Sequence, residues 1–166
     1  MNNDLWSRIS PDEAEAVRNA ISEHPVKVGK LAQNLGIEVF RSPLPPKISG
    51  MIQPSQSGGR GYEIRVNKYE VPERQRFTLA HEIAHFLLHK SDIRSGVVDS
   101  VMYRSALTSR KEAEANRLAA DIVMPMDAVR KELAALGGIA DEETAKQLAC
   151  IFKVSLPAMR VRLGLS

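Results

Sequence analysis

Residues 76–89 read Arg76-Phe77-Thr78-Leu79-Ala80-His81-Glu82-Ile83-Ala84-His85-Phe86-Leu87-Leu88-His89. His81-Glu82-Ile83-Ala84-His85 matches H-E-x-x-H. On a helix the two histidines stand one turn apart on one face, so both imidazoles can bind a single ion. Glu82 lies about 100° round from His81, beside such an ion, where it can act on the ion's bound water. The helical wheel sharpens the reading. Arg74, Thr78, Glu82, His85 and His89 gather on one side of His81, and Phe77, Leu79, Ala80, Ile83, Ala84, Phe86, Leu87 and Leu88 occupy the rest. A helix this apolar is buried, and buried polar groups need partners. A metal supplies one.

A catalytic zinc takes three protein ligands and keeps one position open. A third histidine in H-E-x-x-H-x-x-G-x-x-H would need glycine at position 88 and histidine at 91, where the chain has Leu88 and Ser91. His89 is two turns from His81, about 12 Å along the axis. It is expected behind the ligands, at a cap or at the surface. The alternative is an acid from a second helix, predicted from about Ser109 to Met124 and stopped by Pro125. There Glu112, Ala115, Asn116, Ala119 and Val123 share a stripe of mostly small residues, which is expected to face inward. Glu114, Arg117, Asp121 and Arg110 fall opposite and are expected to face solvent. Glu112 is therefore the predicted third ligand, Ala115 and Ala119 would let the two helices approach closely, and Asn116 could support a ligand from behind. Without a metal, Glu112 would merely complement the helix dipole.

The rest of the chain reads as one ordinary domain. The 166 residues are 43% hydrophobic and 26% charged, close to a globular average. No apolar run reaches the roughly 18 residues needed to cross a bilayer. The first residues lack the pattern of a signal peptide. The single cysteine, Cys150, excludes a disulfide framework and a Cys-rich zinc module. These features lead us to expect a reducing, cytoplasmic setting. The net charge of +3 comes from 23 basic and 20 acidic residues interleaved along the chain, so no concentrated nucleic-acid-binding face is expected.

Before the H-E-x-x-H helix, Ser10-Pro11-Asp12-Glu13 predicts a helix start that runs to about Ser22. A short helix over 26–34 ends at Gly36. Strands are predicted at 37–40, 48–53 and 62–67, the last with Tyr62, Ile64 and Val66 on one face. Pro43, Pro45 and Pro46 mark a stiff loop, 55–61 a turn, and 90–108 a loop. Helices are predicted at 126–136, 142–152 and 156–163. We expect residues 1–136 to form the catalytic domain, and 137–166 a helix-turn-helix-like cap on the same core.

His81 to His89, together with Glu112 to Pro125 (EAEANRLAADIVMP), resembles the paired signatures of ImmA/IrrE-type zinc metallopeptidases. The likeness runs from about Val28 to Leu165. Members often carry glycine where this chain has Ala84 and phenylalanine where it has Leu118, both conservative differences. The resemblance implies a compact, zincin-like α+β fold: a small antiparallel sheet packed on the H-E-x-x-H helix, with further helices at the C-terminal end. It implies one Zn2+ per chain held by His81, His85 and Glu112, with Glu82 as the catalytic acid-base. It also implies a protein substrate, a helix-turn-helix transcriptional repressor, often in mobile elements or stress responses. Tyr103 and Arg104, between the two ligand helices, are oxyanion or substrate candidates, with ordinary loop packing as the plainer reading. The 62–67 strand could offer its edge to an extended substrate.

Two other readings compete. In one, residues 146–163 are a DNA-binding module. The second helix there is short and spends Leu156, Met159 and Leu163 on packing, which favours a structural cap. In the other, the chain holds zinc but grips a repressor without cutting it. Manganese or iron could also fill a site of this donor set.

Overall fold

The computed structural model describes residues 3–56, 61–94 and 109–166. In chain order these form α1 (Asn3–Trp6), α2 (Pro11–Ile21), α3 (Val28–Asn34), β1 (Ile37–Ser42), β2 (Gly50–Pro54), β3 (Tyr62–Asn67), α4 (Pro72–Leu88), α5 (Lys90–Arg94), α6 (Ser109–Val123), α7 (Met126–Ala135), α8 (Glu142–Phe152) and α9 (Leu156–Arg162). The architecture is α+β, as the sequence implies. Lys90–Arg94 is helical, whereas the sequence reading gave 90–108 as loop. No described helix is long and apolar enough to cross a membrane.

Local chemistry sets the boundaries. Ser10 caps α2, with Pro11 in the first turn. Pro72 opens α4 in the same way. Asp141 and Thr144 form a reciprocal capping pair at the start of α8, and Ser155 caps α9. Lys153 ends α8 at φ 53°, the left-handed turn that separates α8 from α9.

The sheet has the order β1-β3-β2. β2 and β3 form an antiparallel hairpin, but β1 runs parallel to β3, Ile37 opposite Tyr62. The sheet is thus mixed, not wholly antiparallel as expected. The chain reverses once between β1 and β2 and again between β2 and β3. Two reversals restore the direction of β1, and β3 fills the slot between its two predecessors. Both edges of β3 are therefore paired, and the edge expected to receive a substrate is taken. Ile64 and Val66 are buried, and so are Glu63 and Asn67 on the other face.

Asn67 organises the loop that follows β1. Its Nδ2 donates to the carbonyls of Leu44 (3.1 Å), Pro45 (3.2 Å) and Ile48 (2.9 Å), and its Oδ1 accepts from Tyr69 N at 3.0 Å. One buried amide thereby holds residues 44–48 and presents Ser49 and Gly50 to α4. Gly50 meets α4 so closely that a Cβ would lie 2.5 Å from Thr78 Cγ2 and 2.9 Å from the Arg65 carbonyl. Gly50→Ala is expected to cost about 1–3 kcal/mol through overpacking, read as a lower midpoint in urea unfolding. An unchanged midpoint would show that β2 and α4 can separate freely.

α4 is the central element. Residues Thr78 to Leu87 are buried without interruption. It packs on β2, β3 and α3, and most extensively on α6. Ala80 and Ala84 of α4 and Ala115 and Ala119 of α6 are all 0% exposed. Small side chains at i, i+4 on both helices let the two backbones approach closely. α6 is buried on more than the predicted stripe, since Glu114, Leu118, Asp121 and Ile122 also point inward. α8 and α9 complete the core through Leu148, Phe152 and Met159. Much of their basic charge is used internally. Arg162 bonds to Asp121 (2.8 Å) and to the Met124 carbonyl (2.9 Å), and Arg160 lies 3.4 Å from Glu142.

Candidate metal centre

The last turns of α4 and the first turn of α6 bring His81, His85 and Glu112 to one point. His81 Nε2 and His85 Nε2 are 3.0 Å apart. Glu112 Oε2 is 3.3 Å from the first and Oε1 is 3.1 Å from the second. Among the described residues these three form a group whose ligand atoms all lie within 4.8 Å of one another. Glu112, predicted as the third ligand, thus meets the two histidines from the second helix, although it is half-buried, its side chain 30% exposed.

The donor set fits a divalent cation. His81 Nδ1 is 2.8 Å from Asn116 Oδ1, an acceptor, so the ring N–H sits on Nδ1 and Nε2 keeps its lone pair. His85 Nδ1 is likewise engaged, 2.9 Å from His89 Nδ1. A neutral imidazole carries one N–H. When both N–H groups turn outward, only lone pairs face the centre and a cation satisfies them together; an N–H turned inward on Nε2 would instead donate to Glu112. Hydrogen-bonding contacts with His81 first, and His85 second, hold the Glu112 carboxyl far below the usual carboxylate range. Burial pushes the His85 ring down from its ordinary value and favours the neutral, ligating form. A third ligand anion and neutral imidazoles are what a His2Glu site requires.

Asn116 lies behind His81, although its side chain is exposed at the rim. Glu82 follows His81 on α4 and is buried at 1% exposure. Tyr103 and Arg104 lie outside the described residues. A cavity of about 350 Å3 opens on His81 and Glu112 and is lined also by Ser49, Arg74, Phe77, Thr78 and Asn116. Phe77 also borders two larger hollows, one of about 1150 Å3 between α4 and the α8–α9 pair and one of about 650 Å3 along α6, α7 and α9. The larger hollows hold none of the three ligands, and only the smaller one has the donor chemistry of a metal site.

Sequence reasoning placed Glu114 in solvent, and this is wrong. Glu114 is 4% exposed, accepts from Arg8, and lies 3.1 Å from His89 Nε2. Asp121, placed with it, is 8% exposed and paired with Arg162. The signal was present. Glu114, Leu118 and Ile122 stand at i, i+4 and i+8, and reading Leu118 and Ile122 as inward carries Glu114 in with them. His89, expected behind the ligands, at a cap or at the surface, lies behind His85.

Comparison with known proteins gives the family and a likeness of fold. A peptidase family model described as the IrrE N-terminal-like domain matches residues 32–164. Among solved structures, a Mycobacterium tuberculosis transcriptional regulator superposes over 98% of this chain with a TM-score of 0.59 at 18% identity. At that identity the likeness is one of fold, and the chain spans 49% of that protein's length. No curated protein matches the chain.

Proposed function

Because the chain belongs to the peptidase family of the IrrE N-terminal-like domain, we propose that it is a zinc-dependent endopeptidase. The observation that carries this reading is the convergence of His81, His85 and Glu112 within 4.8 Å, with Glu82 beside His81 on the same buried helix. The three ligands would hold one zinc ion. When bound, it supplies Lewis acidity and lowers the pKa of a water molecule towards about 7.

The chain's own residues do the rest. Glu82 takes the proton of the attacking water and returns it to the leaving amine, as a general base and then a general acid. Asn116 holds the His81 ring with Nε2 towards the centre. The substrate approaches over Phe77, which borders both the ligand cavity and the two larger hollows. The substrate we propose is a helix-turn-helix transcriptional repressor, the class implied by the sequence signatures. The internal use of Arg160 and Arg162 favours a packing role for α8 and α9 over DNA binding.

The test is elemental analysis of protein purified without chelators, followed by incubation with candidate repressors. About one zinc per chain and a repressor cut at a defined bond are expected. Protein that takes up no metal when zinc is supplied and the excess removed would overturn the reading.

A further inference from the structure

The metal centre does not end at its ligands. From His85 a chain of buried polar groups leads away from the cavity. His85 Nδ1 lies 2.9 Å from His89 Nδ1, and His89 Nε2 lies 3.1 Å from Glu114 Oε1. The other oxygen, Glu114 Oε2, accepts from the Arg8 guanidinium. His85, His89 and Glu114 are 0%, 2% and 4% exposed. Arg8 sits between α1 and α2, far from α6 in sequence, and its side chain is 36% exposed.

The protons on this chain follow by working inward from its charged end. Arginine only donates, so Glu114 faces it as an acceptor. The second oxygen of an ionised carboxylate also only accepts, so His89 must place its N–H on Nε2. A neutral His89 then offers Nδ1 as a lone pair. His85 must answer with an N–H on Nδ1, and that leaves His85 Nε2 bare at the centre. The opposite arrangement would put the His85 proton on Nε2, where an ion has to bind and where Glu112 Oε1, 3.1 Å away, would accept it, so the relay through His89 must outweigh that pull. His81 is set by a single neighbour, Asn116. His85 needs two, and the anchor of the second is in another part of the chain.

We propose that Glu114 and His89 are positioning residues for His85: they fix its tautomer so that Nε2 can ligate the metal, and Arg8 keeps Glu114 an acceptor. The proposal rests on the metal-centre reading above. It makes the segment between α1 and α2 part of the metal site's support.

Two measurements on the full chain test it. The first is a long-range proton–nitrogen NMR spectrum of the histidine rings in metal-free wild type near neutral pH. The chain has only four histidines, so the rings can be assigned. His85 with its proton on Nδ1 and His89 with its proton on Nε2 are expected. His85 protonated on Nε2, or a doubly protonated His89, would overturn the proposal without any variant having to fold. The second is zinc affinity by competition with a chromophoric chelator, for wild type and Glu114→Gln. The new amide has one acceptor, which Arg8 claims, so its NH2 turns to His89 and reverses both rings. Zinc binding is expected to weaken about 10–100-fold, as for outer partners of metal ligands, with the His85 proton moved to Nε2. A merely structural Glu114 would lower the melting temperature and leave the tautomer and the affinity unchanged, and that result would overturn the relay alone. Wild type that binds no zinc would bring down the metal-centre reading as well.

Discussion

Glu82→Gln is expected to keep the metal and lose about 10²–10⁴-fold in peptide cleavage, the usual contribution of a general acid-base. The substitution is isosteric and removes only the ability to accept and return a proton. Glu82 is not one of the three converging ligands, so the ion should stay. It is 1% exposed on a helix buried from Thr78 to Leu87, and a Gln of the same shape should fold there. The measurement is kcat/KM on a cleavable repressor or peptide, with zinc content and melting temperature taken on the same sample. Cleavage retained at the wild-type rate would sink the role of Glu82. The same variant separates cutting from gripping. If wild type and Glu82→Gln form the same stable complex with a repressor and neither yields fragments, a binding role without hydrolysis takes over.

The second large effect is on the ion itself. Glu112→Ala is expected to weaken zinc binding by more than the roughly 100-fold upper range for outer partners, because it removes an anionic ligand. Two neutral imidazoles remain, and their charge-free donor set no longer offsets the desolvation of a dication. Chelator competition reads the loss. It should exceed that of Glu114→Gln, and this ordering is the informative part. Equal zinc affinity in Glu112→Ala and wild type would show that the third ligand lies elsewhere. Folding should suffer little, since the Glu112 side chain is 30% exposed at the start of α6.

Much of this site was legible because helices advertise it. α4 is apolar round most of its circumference, and the one polar stripe left over holds Thr78, His81, Glu82 and His85. Glu112 and Asn116 were legible for the opposite reason, as polar residues on a small-residue stripe beside Ala115 and Ala119. Glu114 was not, because the wheel was read as having one inner and one outer face. α6 packs on α2 as well as on α4, so its buried face is wider than one stripe. Asp121 was misplaced by the same assumption. His89 could be put near the ligands but not assigned its partner, because that partner is Glu114. Arg8 could not have been found, since an ion pair across 106 residues leaves no periodic trace. The sheet failed differently. Alternation at Tyr62, Ile64 and Val66 reports which way side chains point. It does not report which strand lies alongside, so the parallel pairing of β1 was out of reach.

That pairing also sets an order of assembly. β2 and β3 are near neighbours in sequence, Pro54 opposite Tyr62, whereas Ile37 must find Tyr62 across the whole of β2 and its flanking segments. Loop-closure entropy favours the nearer contact, so the hairpin is expected to form early and β1 to dock late. During that interval one side of β3 has its amides and carbonyls unmatched, in a segment that reads Tyr62-Glu63-Ile64-Arg65-Val66-Asn67. The charges at Glu63 and Arg65 are well placed as gatekeepers against intermolecular pairing in that window. In the finished molecule they join in a 2.8 Å ion pair. The same two charges are thus expected to guard the newly made chain while it waits for its first strand.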